Sequence, residues 1–209
     1  MVTLLSKPLR LSARVRKSVK ALLHVAAILF LAGLFYLGVT DRLGADPVDT
    51  LLHYTGIWTL ISLFICLTLS PLSKHLPCGD LMRFRRMTGI YAFVFAFCHF
   101  LTYALFELQL NISLLGEEIV KRPYITVGMA ALLILLALTA TSTSNIRRRM
   151  GKRWQQLHNS IYLAMLLGLL HFTWSQKTFW QEPVFYWLIG LSLLILRKDK
   201  FQRLLRRRR

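Results

Sequence analysis

The sequence has few acidic residues, few cysteines and no long polar stretch, and each shortage excludes a class of protein. Only nine of its 209 residues are Asp or Glu, against 27 Lys and Arg, which gives a net charge of +18. The three cysteines lack the spacing of a disulfide framework or a zinc site. No stretch between apolar runs is long enough for a soluble catalytic domain. A glycine-rich dinucleotide-binding fingerprint is also absent.

Hydrophobic side chains are abundant, at 55% of the residues. A soluble domain of this length would keep more polar surface. In a soluble protein the net charge would indicate a nucleic-acid partner. Here the basic residues are confined to short blocks between long apolar runs. This pattern predicts a membrane protein with basic loops and no nucleic-acid partner.

Six apolar segments follow one another, each close to the roughly 20 residues that cross a hydrocarbon core of about 30 Å. They predict an all-α fold, a polytopic membrane helix bundle of about six transmembrane helices. The first segment is long enough to span and no small-residue cleavage site follows it, so we interpret it as a retained helix. The second is expected to end at Pro71. The predicted spans are residues 21–39, 51–69, 87–106, 124–140, 157–174 and 183–196.

The basic residues predict the orientation, since cytoplasmic loops carry an excess of Lys and Arg. With a cytoplasmic N-terminus, 23 of the 27 basic residues fall on the inner side, and most acidic residues fall outside. Both termini are therefore predicted to be cytoplasmic. The chain then divides into a basic N-terminal segment (1–20), a transmembrane domain (21–196) and a basic tail (197–209). The tail is expected to bind anionic membrane lipid.

Histidines on spanning helices are functional candidates, because ionisable groups inside a bilayer are costly. His99 lies about 18 Å from the cytoplasmic end of the third segment, and His171 about 21 Å from the same end of the fifth. The two imidazoles are thus predicted to reach one level in the outer half of the membrane, which His53 shares. Such a pair suits the two axial positions of a haem iron. The alternative is a pair of core histidines, each hydrogen-bonded across helices.

A second site is predicted nearer the cytoplasmic face. His158 lies thirteen residues before His171, about 20 Å lower on what is expected to be the same helix. Arg85 and Arg86 occupy the equivalent level of the third helix, and a guanidinium cannot ligate iron because it stays protonated. Together with His24, these side chains predict an inner pocket for a quinone or for an anionic or carbonyl-bearing cofactor. Membrane anchoring is the alternative for the two arginines.

Several strings of the sequence resemble a known family. The twelve residues between His158 and His171 match a spacing of the ferric reductase-like transmembrane domain. The strings span about residues 17–200, and in their order they resemble the haem-binding membrane subunits of periplasmic protein-methionine-sulfoxide reductase systems. They are LGADPV (43–48), RRMTG (85–89), HFLTYALFEL (99–108), GEEIVKRPYITVG (116–128) and GKRWQQLHNSIY (151–162).

The resemblance implies a six-helix protein of the bacterial inner membrane with b-type haem and a requirement for FMN. It implies electrons drawn from the quinone pool or from a cytoplasmic flavin reductase. These pass to a periplasmic molybdopterin-containing catalytic subunit that reduces methionine sulfoxide in oxidised proteins. His99 and His171 match the family's haem-ligand positions, and Arg85 and His158 match positions of its inner cofactor or quinone site. Arg85 stands where wider ferric reductases have an inner ligand, which argues against a second haem.

Two other functions remain compatible with the sequence. One is an autonomous haem-containing ferric or quinone reductase, and the other is a non-redox transporter or assembly factor. The amino-acid sequence shows no recognisable internal repeat, which argues against a transporter built from inverted halves. The outer acids form a candidate docking surface for a partner, or serve only as topology signals. They are Asp46, Asp49, Glu117 and Glu118.

Overall fold

The computed structural model describes residues 10–76, 78–176 and 181–197, and those ranges contain helices and no strand. The all-α prediction is therefore confirmed. Residues 1–9 and 198–209 of the predicted basic ends lie outside the described residues. The helices are α1 (Ala13–Val39), α2 (Pro47–His75), α3 (Arg85–Thr102), α4 (Ile112–Lys121), α5 (Pro123–Ala140), α6 (Ser144–Met150), α7 (Lys152–His158), α8 (Ile161–Ser175) and α9 (Gln181–Ile195). A 3₁₀ turn (Gly79–Arg83) precedes α3 and a π-helical turn (Tyr103–Glu107) extends it.

Among the residues that the structure describes, four helical stretches are long and apolar enough to cross a membrane: Ala13–Val39, Pro47–His75, Gly79–Glu107 and Pro123–Ala140. They correspond to the first four predicted segments. Helices α8 and α9 correspond to the last two, and each has 15 residues, or about 22 Å of length. The chain is a multi-pass helical membrane protein. Which side each terminus faces remains a prediction.

The core lies where α2, α3, α5, α8 and α9 meet. Met165 and Leu169 of α8 are fully buried there, beside Leu63 and Leu67 of α2. Helix α2 packs along α3, and α5 packs along α8. These two helix pairs set the distances across the interior.

Helix α1 lies at the edge of the bundle, with Leu34 as its one buried residue. Its N-terminal end is tied to the loop before α3 by Asp80. That carboxylate accepts hydrogen bonds from the Leu11 N–H at 2.9 Å and from Arg16 at 3.1 Å, and it also pairs with Arg83 at 3.0 Å. Because only Leu34 of α1 is buried, most of the surface of this helix is left to contact lipid.

Pro71 does not end α2, contrary to the prediction, since the helix continues to His75. Proline has no N–H, so the carbonyl of Leu67, four residues earlier, loses its helical donor. The Arg197 Nη2 donates to that carbonyl at 2.6 Å, and Nη1 donates to the Tyr162 hydroxyl. Arg197 was expected to begin a solvated tail, but it is only 7% exposed. It joins the end of α9 to α2 and α8.

The fifth predicted segment is divided near its start. Helix α7 ends at His158 and α8 begins at Ile161. Between them the Ser160 N–H bonds to the Leu157 carbonyl at 2.9 Å, an i→i+3 bond that tightens the turn. His158 is therefore not on the same helix as His171, which corrects the prediction.

Candidate functional site

The structure brings His99 of α3 and His171 of α8 close together inside the bundle. Their ring centroids are 5.9 Å apart and their planes differ by 87°. Two metal–nitrogen bonds of about 2.0 Å, with about 1.1 Å from each nitrogen to its ring centre, require a centroid separation of about 6 Å. One metal atom therefore fits between the two imidazoles.

Each imidazole is held by a backbone carbonyl of the neighbouring helix. The Nδ1 of His99 lies 2.9 Å from the Leu52 carbonyl, and the Nδ1 of His171 lies 2.7 Å from the Tyr124 carbonyl. A carbonyl can only accept, so each Nδ1 carries the proton and donates it. The lone pair then resides on Nε2, the nitrogen that a metal takes when Nδ1 is fixed in this way.

Two glycines make room for the rings. A Cβ at Gly128 of α5 would lie 2.8 Å from the Nδ1 of His171, which is closer than real Cβ contacts allow. A Cβ at Gly56 of α2 would lie 3.3 Å from the ring of His99. The missing side chains let each helix approach its histidine closely enough for the carbonyl bond. Sequence reasoning missed both glycines, because an isolated glycine in an apolar helix gives no signal of a neighbour.

The two halves of this site repeat one another. In each half a histidine on one helix bonds a carbonyl of an earlier helix that packs against it, and a glycine one turn beyond that carbonyl accommodates the ring. The sequence analysis did not recognise this repeat, because the pair α2 and α3 shares few residue types with the pair α5 and α8. The counterparts lie 72 positions apart in the chain and are Leu52 and Tyr124, Gly56 and Gly128, and His99 and His171.

The donor set fits a haem. Within the described ranges no group of three or more His, Cys, Asp or Glu is placed to hold a metal. His99 and His171 would each hold the iron of a haem through one imidazole nitrogen, a type of ligand that haem iron takes from proteins. When bound, haem provides an iron that exchanges one electron at a time.

The predicted inner site is only partly assembled. His158 stacks on Trp154 with a ring separation of 3.9 Å, and its Nε2 lies 3.1 Å from the Thr141 hydroxyl. No described hydrogen bond or ring contact joins His158 to Arg85. Arg86 is exposed and has no described contact with them.

His24 is not part of that inner group. Its Nδ1 forms a hydrogen bond with the Tyr91 hydroxyl of α3, and the two rings are 5.4 Å apart. The histidine and the phenol come together because α1 crosses α3 here, which no sequence pattern indicates.

The outer acids are mostly engaged within the chain. Asp46 caps α2 by accepting from the Asp49 N–H at 2.9 Å. Glu118 pairs with Arg122 at 2.7 Å, and Glu117 pairs with Lys121 at 2.7 Å. The hydrogen bond from Lys121 lowers the pKa of the Glu117 carboxyl. Local pairing leaves little net negative charge on α4 for docking.

His53 lies beside the histidine pair on the α2 side. Its ring is 6.4 Å from that of Phe172, the residue after His171, and its Nε2 is 3.7 Å from a Glu182 carboxylate oxygen. It follows Leu52, whose carbonyl holds His99. The prediction that His53 shares a leaflet with the pair agrees with these contacts.

A bundle of apolar helices that holds two imidazoles at one-metal distance defines a class of protein: the multi-pass membrane protein with a buried bis-histidine site. The comparisons with known proteins identify the family within that class. Residues 55–169, more than half of the chain, match the family described as ferric reductase like transmembrane component. The chain belongs to this family; the match contains His99 and ends two residues before His171.

Curated relatives have a more specific description. A protein of Salmonella paratyphi B and one of Salmonella heidelberg are each 43% identical to this chain over 195 residues. The aligned region covers 93% of this chain and 98% of each relative. Both carry the name protein-methionine-sulfoxide reductase heme-binding subunit MsrQ. Together the family and these relatives support a role in membrane electron transfer.

Proposed function

We propose that this chain is the haem-binding electron-transfer subunit of a protein-methionine-sulfoxide reductase in a bacterial inner membrane. It takes electrons from the quinone pool or from a cytoplasmic flavin reductase. It delivers them to a periplasmic molybdopterin-containing subunit, which carries out the catalysis. FMN enters this proposal through the family resemblance alone, since no described residue marks its site.

The observation that carries the proposal is the arrangement of His99 and His171. A pair of structural histidines would satisfy both ring nitrogens within the protein. Here each Nδ1 is fixed by a carbonyl, and the two ring centroids lie 5.9 Å apart. This leaves one Nε2 lone pair on each ring, and the centroid separation is that expected of two imidazoles bound to one iron.

The path across the membrane follows from the predicted orientation. His158 and Arg85 lie at the ends of α7 and α3 that are predicted to face the cytoplasm. His99 lies fourteen residues further along α3, about 21 Å towards the outer face. A cofactor held there is placed to receive electrons from the inner side and to release them to a partner outside.

Haem quantitation per chain tests the proposal. We expect purified wild-type protein to show the absorption of a b-type haem with two histidine ligands. His171→Ala and His99→Ala should each reduce the haem absorbance per chain at least about tenfold, because removal of one ligand leaves the iron with a single bond to the protein. His75→Ala, an exposed histidine at the end of α2, is the matched control and should retain full absorbance. Wild-type protein without haem, or full absorbance in either ligand variant, would contradict the assignment.

A further inference from the structure

His24 leaves a polar atom at the lipid-facing edge of the bundle. It lies four residues into the first apolar segment and is exposed. Its Nδ1 is engaged by the Tyr91 hydroxyl. Nothing within residues 10–76, 78–176 and 181–197 bonds its Nε2. An imidazole at this depth is costly unless a polar group reaches it, and the open side of α1 admits such a group from the lipid.

A series of aromatic contacts leads from this pair into the bundle. Phe30 of α1 is 4.9 Å from Trp58 of α2, and Trp58 is 6.0 Å from Phe95 of α3. Phe95 is in turn 6.3 Å from Tyr91. These centroid distances are typical of interacting aromatic rings. The surroundings therefore suit a flat, uncharged ring that carries polar oxygens, rather than a charged head group.

One face of α3 connects this pair to the metal centre. Tyr91, Phe95 and His99 are spaced four residues apart, so they lie one above another on the helix. Each step rises by about 6 Å, which places His99 about 12 Å beyond Tyr91 along the axis. A donor bound at Tyr91 is thus separated from the histidine pair by the ring of Phe95, which is buried.

We propose that His24 and Tyr91 bind the head group of a quinol that enters sideways from the membrane at the α1–α3 contact. This inference rests on the proposed function, which supplies the oxidant. The His24 Nε2 accepts a hydrogen bond from one quinol hydroxyl. Oxidation to the quinone releases two protons and two electrons. The protons leave through His24 and water, and the electrons are accepted one at a time by ferric haem.

An apolar groove between α2 and α9 is the competing position for a membrane-soluble ligand. Its volume is about 410 Å³, and its lining is almost wholly apolar. Thr68 already donates its hydroxyl proton to the Phe64 carbonyl, and no histidine lines the groove. This groove suits an acyl or isoprenoid chain and offers no base for a quinol proton.

Photolabelling with an azido-quinone tests the binding step without relying on haem. Protein in nanodiscs should be labelled within residues 21–30 or 87–97, and excess unlabelled quinone should prevent the labelling. The haem-free variant His171→Ala should be labelled equally, because His171 does not form the proposed pocket. Tyr91→Phe and His24→Gln should each reduce labelling at least about fivefold, and His75→Gln should not. Labelling confined to α9, or displaced by anionic lipid instead of quinone, would overturn the proposal.

The kinetic arm measures haem reduction by a short-chain quinol. His24→Gln and Tyr91→Phe should slow it at least about tenfold while haem content and dithionite reduction stay at wild-type levels. Rates within twofold of wild type would overturn the quinol site. Reduction of wild-type haem by a reduced flavin but not by quinol would also overturn it, yet leave the electron-transfer function standing. Absence of haem from wild-type protein would overturn the proposed function itself.

Discussion

Both the part of the bundle predicted to lie towards the outer face, with His99 and His171, and the part predicted to lie towards the cytoplasm, with His158, carry histidines, but the two are built differently. We call them the outer part and the inner part. In the outer part, each histidine has a carbonyl that fixes Nδ1, a glycine that admits its ring and an equivalent 72 residues away. In the inner part, His158 bonds a threonine and stacks on a tryptophan. The position 72 residues before His158 is Arg86, which is exposed.

The difference shows what makes a histidine a ligand candidate. Both parts contain histidines on or beside apolar helices, so depth in the membrane alone does not distinguish a ligand from a structural histidine. Only the outer pair has its proton fixed on one nitrogen and its rings set at a one-metal distance. Equivalent carbonyls and glycines support His99 and His171, so the two imidazoles offer equivalent nitrogen lone pairs. His158 has no such equivalent in the inner part.

The largest expected effect on haem binding comes from a side chain placed at Gly128, where the helix now makes room for the ring of His171. In Gly128→Ala the new Cβ would lie 2.8 Å from the His171 Nδ1 and displace the ring from the Tyr124 carbonyl. Loss of such a supporting contact weakens metal binding about 10–100-fold. Gly56→Ala, with its closest approach at 3.3 Å, should weaken it less. Retained haem after dialysis measures both, and Gly116→Ala, which meets nothing within 4 Å, is the control. Equal haem in all three variants would break the argument from ring support.

A medium effect is expected from the contact that replaces a missing helix bond. Arg197→Met removes a donor from the Leu67 carbonyl that Pro71 cannot bond. Hydrogen bonds from a charged group contribute about 1.5–3 kcal/mol each, so the free energy of unfolding in detergent should fall by about that amount.

Pro71→Ala is the matched second variant, because it restores a backbone N–H to the Leu67 carbonyl. Arg197→Met should therefore cost less in the Pro71→Ala background, by about 1 kcal/mol, in a double-mutant cycle. Strict additivity of the two changes would show that Arg197 and Pro71 do not share that carbonyl.

The smallest expected effect on haem comes from the inner part. His158→Gln removes the imidazole stacked on Trp154 but leaves the outer pair and its supports in place. We expect it to keep at least half of the wild-type haem per chain. A complete loss, like that expected of His171→Ala, would remove the distinction between the two parts of the bundle.

Much of the architecture could be predicted from local patterns. The first four spans coincide with helices, because an uninterrupted apolar run needs a hydrogen-bonded backbone in lipid. The boundaries that failed involve distant partners. Pro71 lies inside a helix because Arg197, 126 residues later, bonds the carbonyl it leaves free.

The amino-acid sequence by itself determined the all-helical class, the apolar spans and the two histidines at matched depth, because length and periodicity act along one helix. Only the tertiary structure decided which side chains meet. It placed Gly56 against His99 and joined His24 to Tyr91. The reason is physical: a helix fixes the spacing of its own residues, but the crossing of two helices depends on close packing over both surfaces.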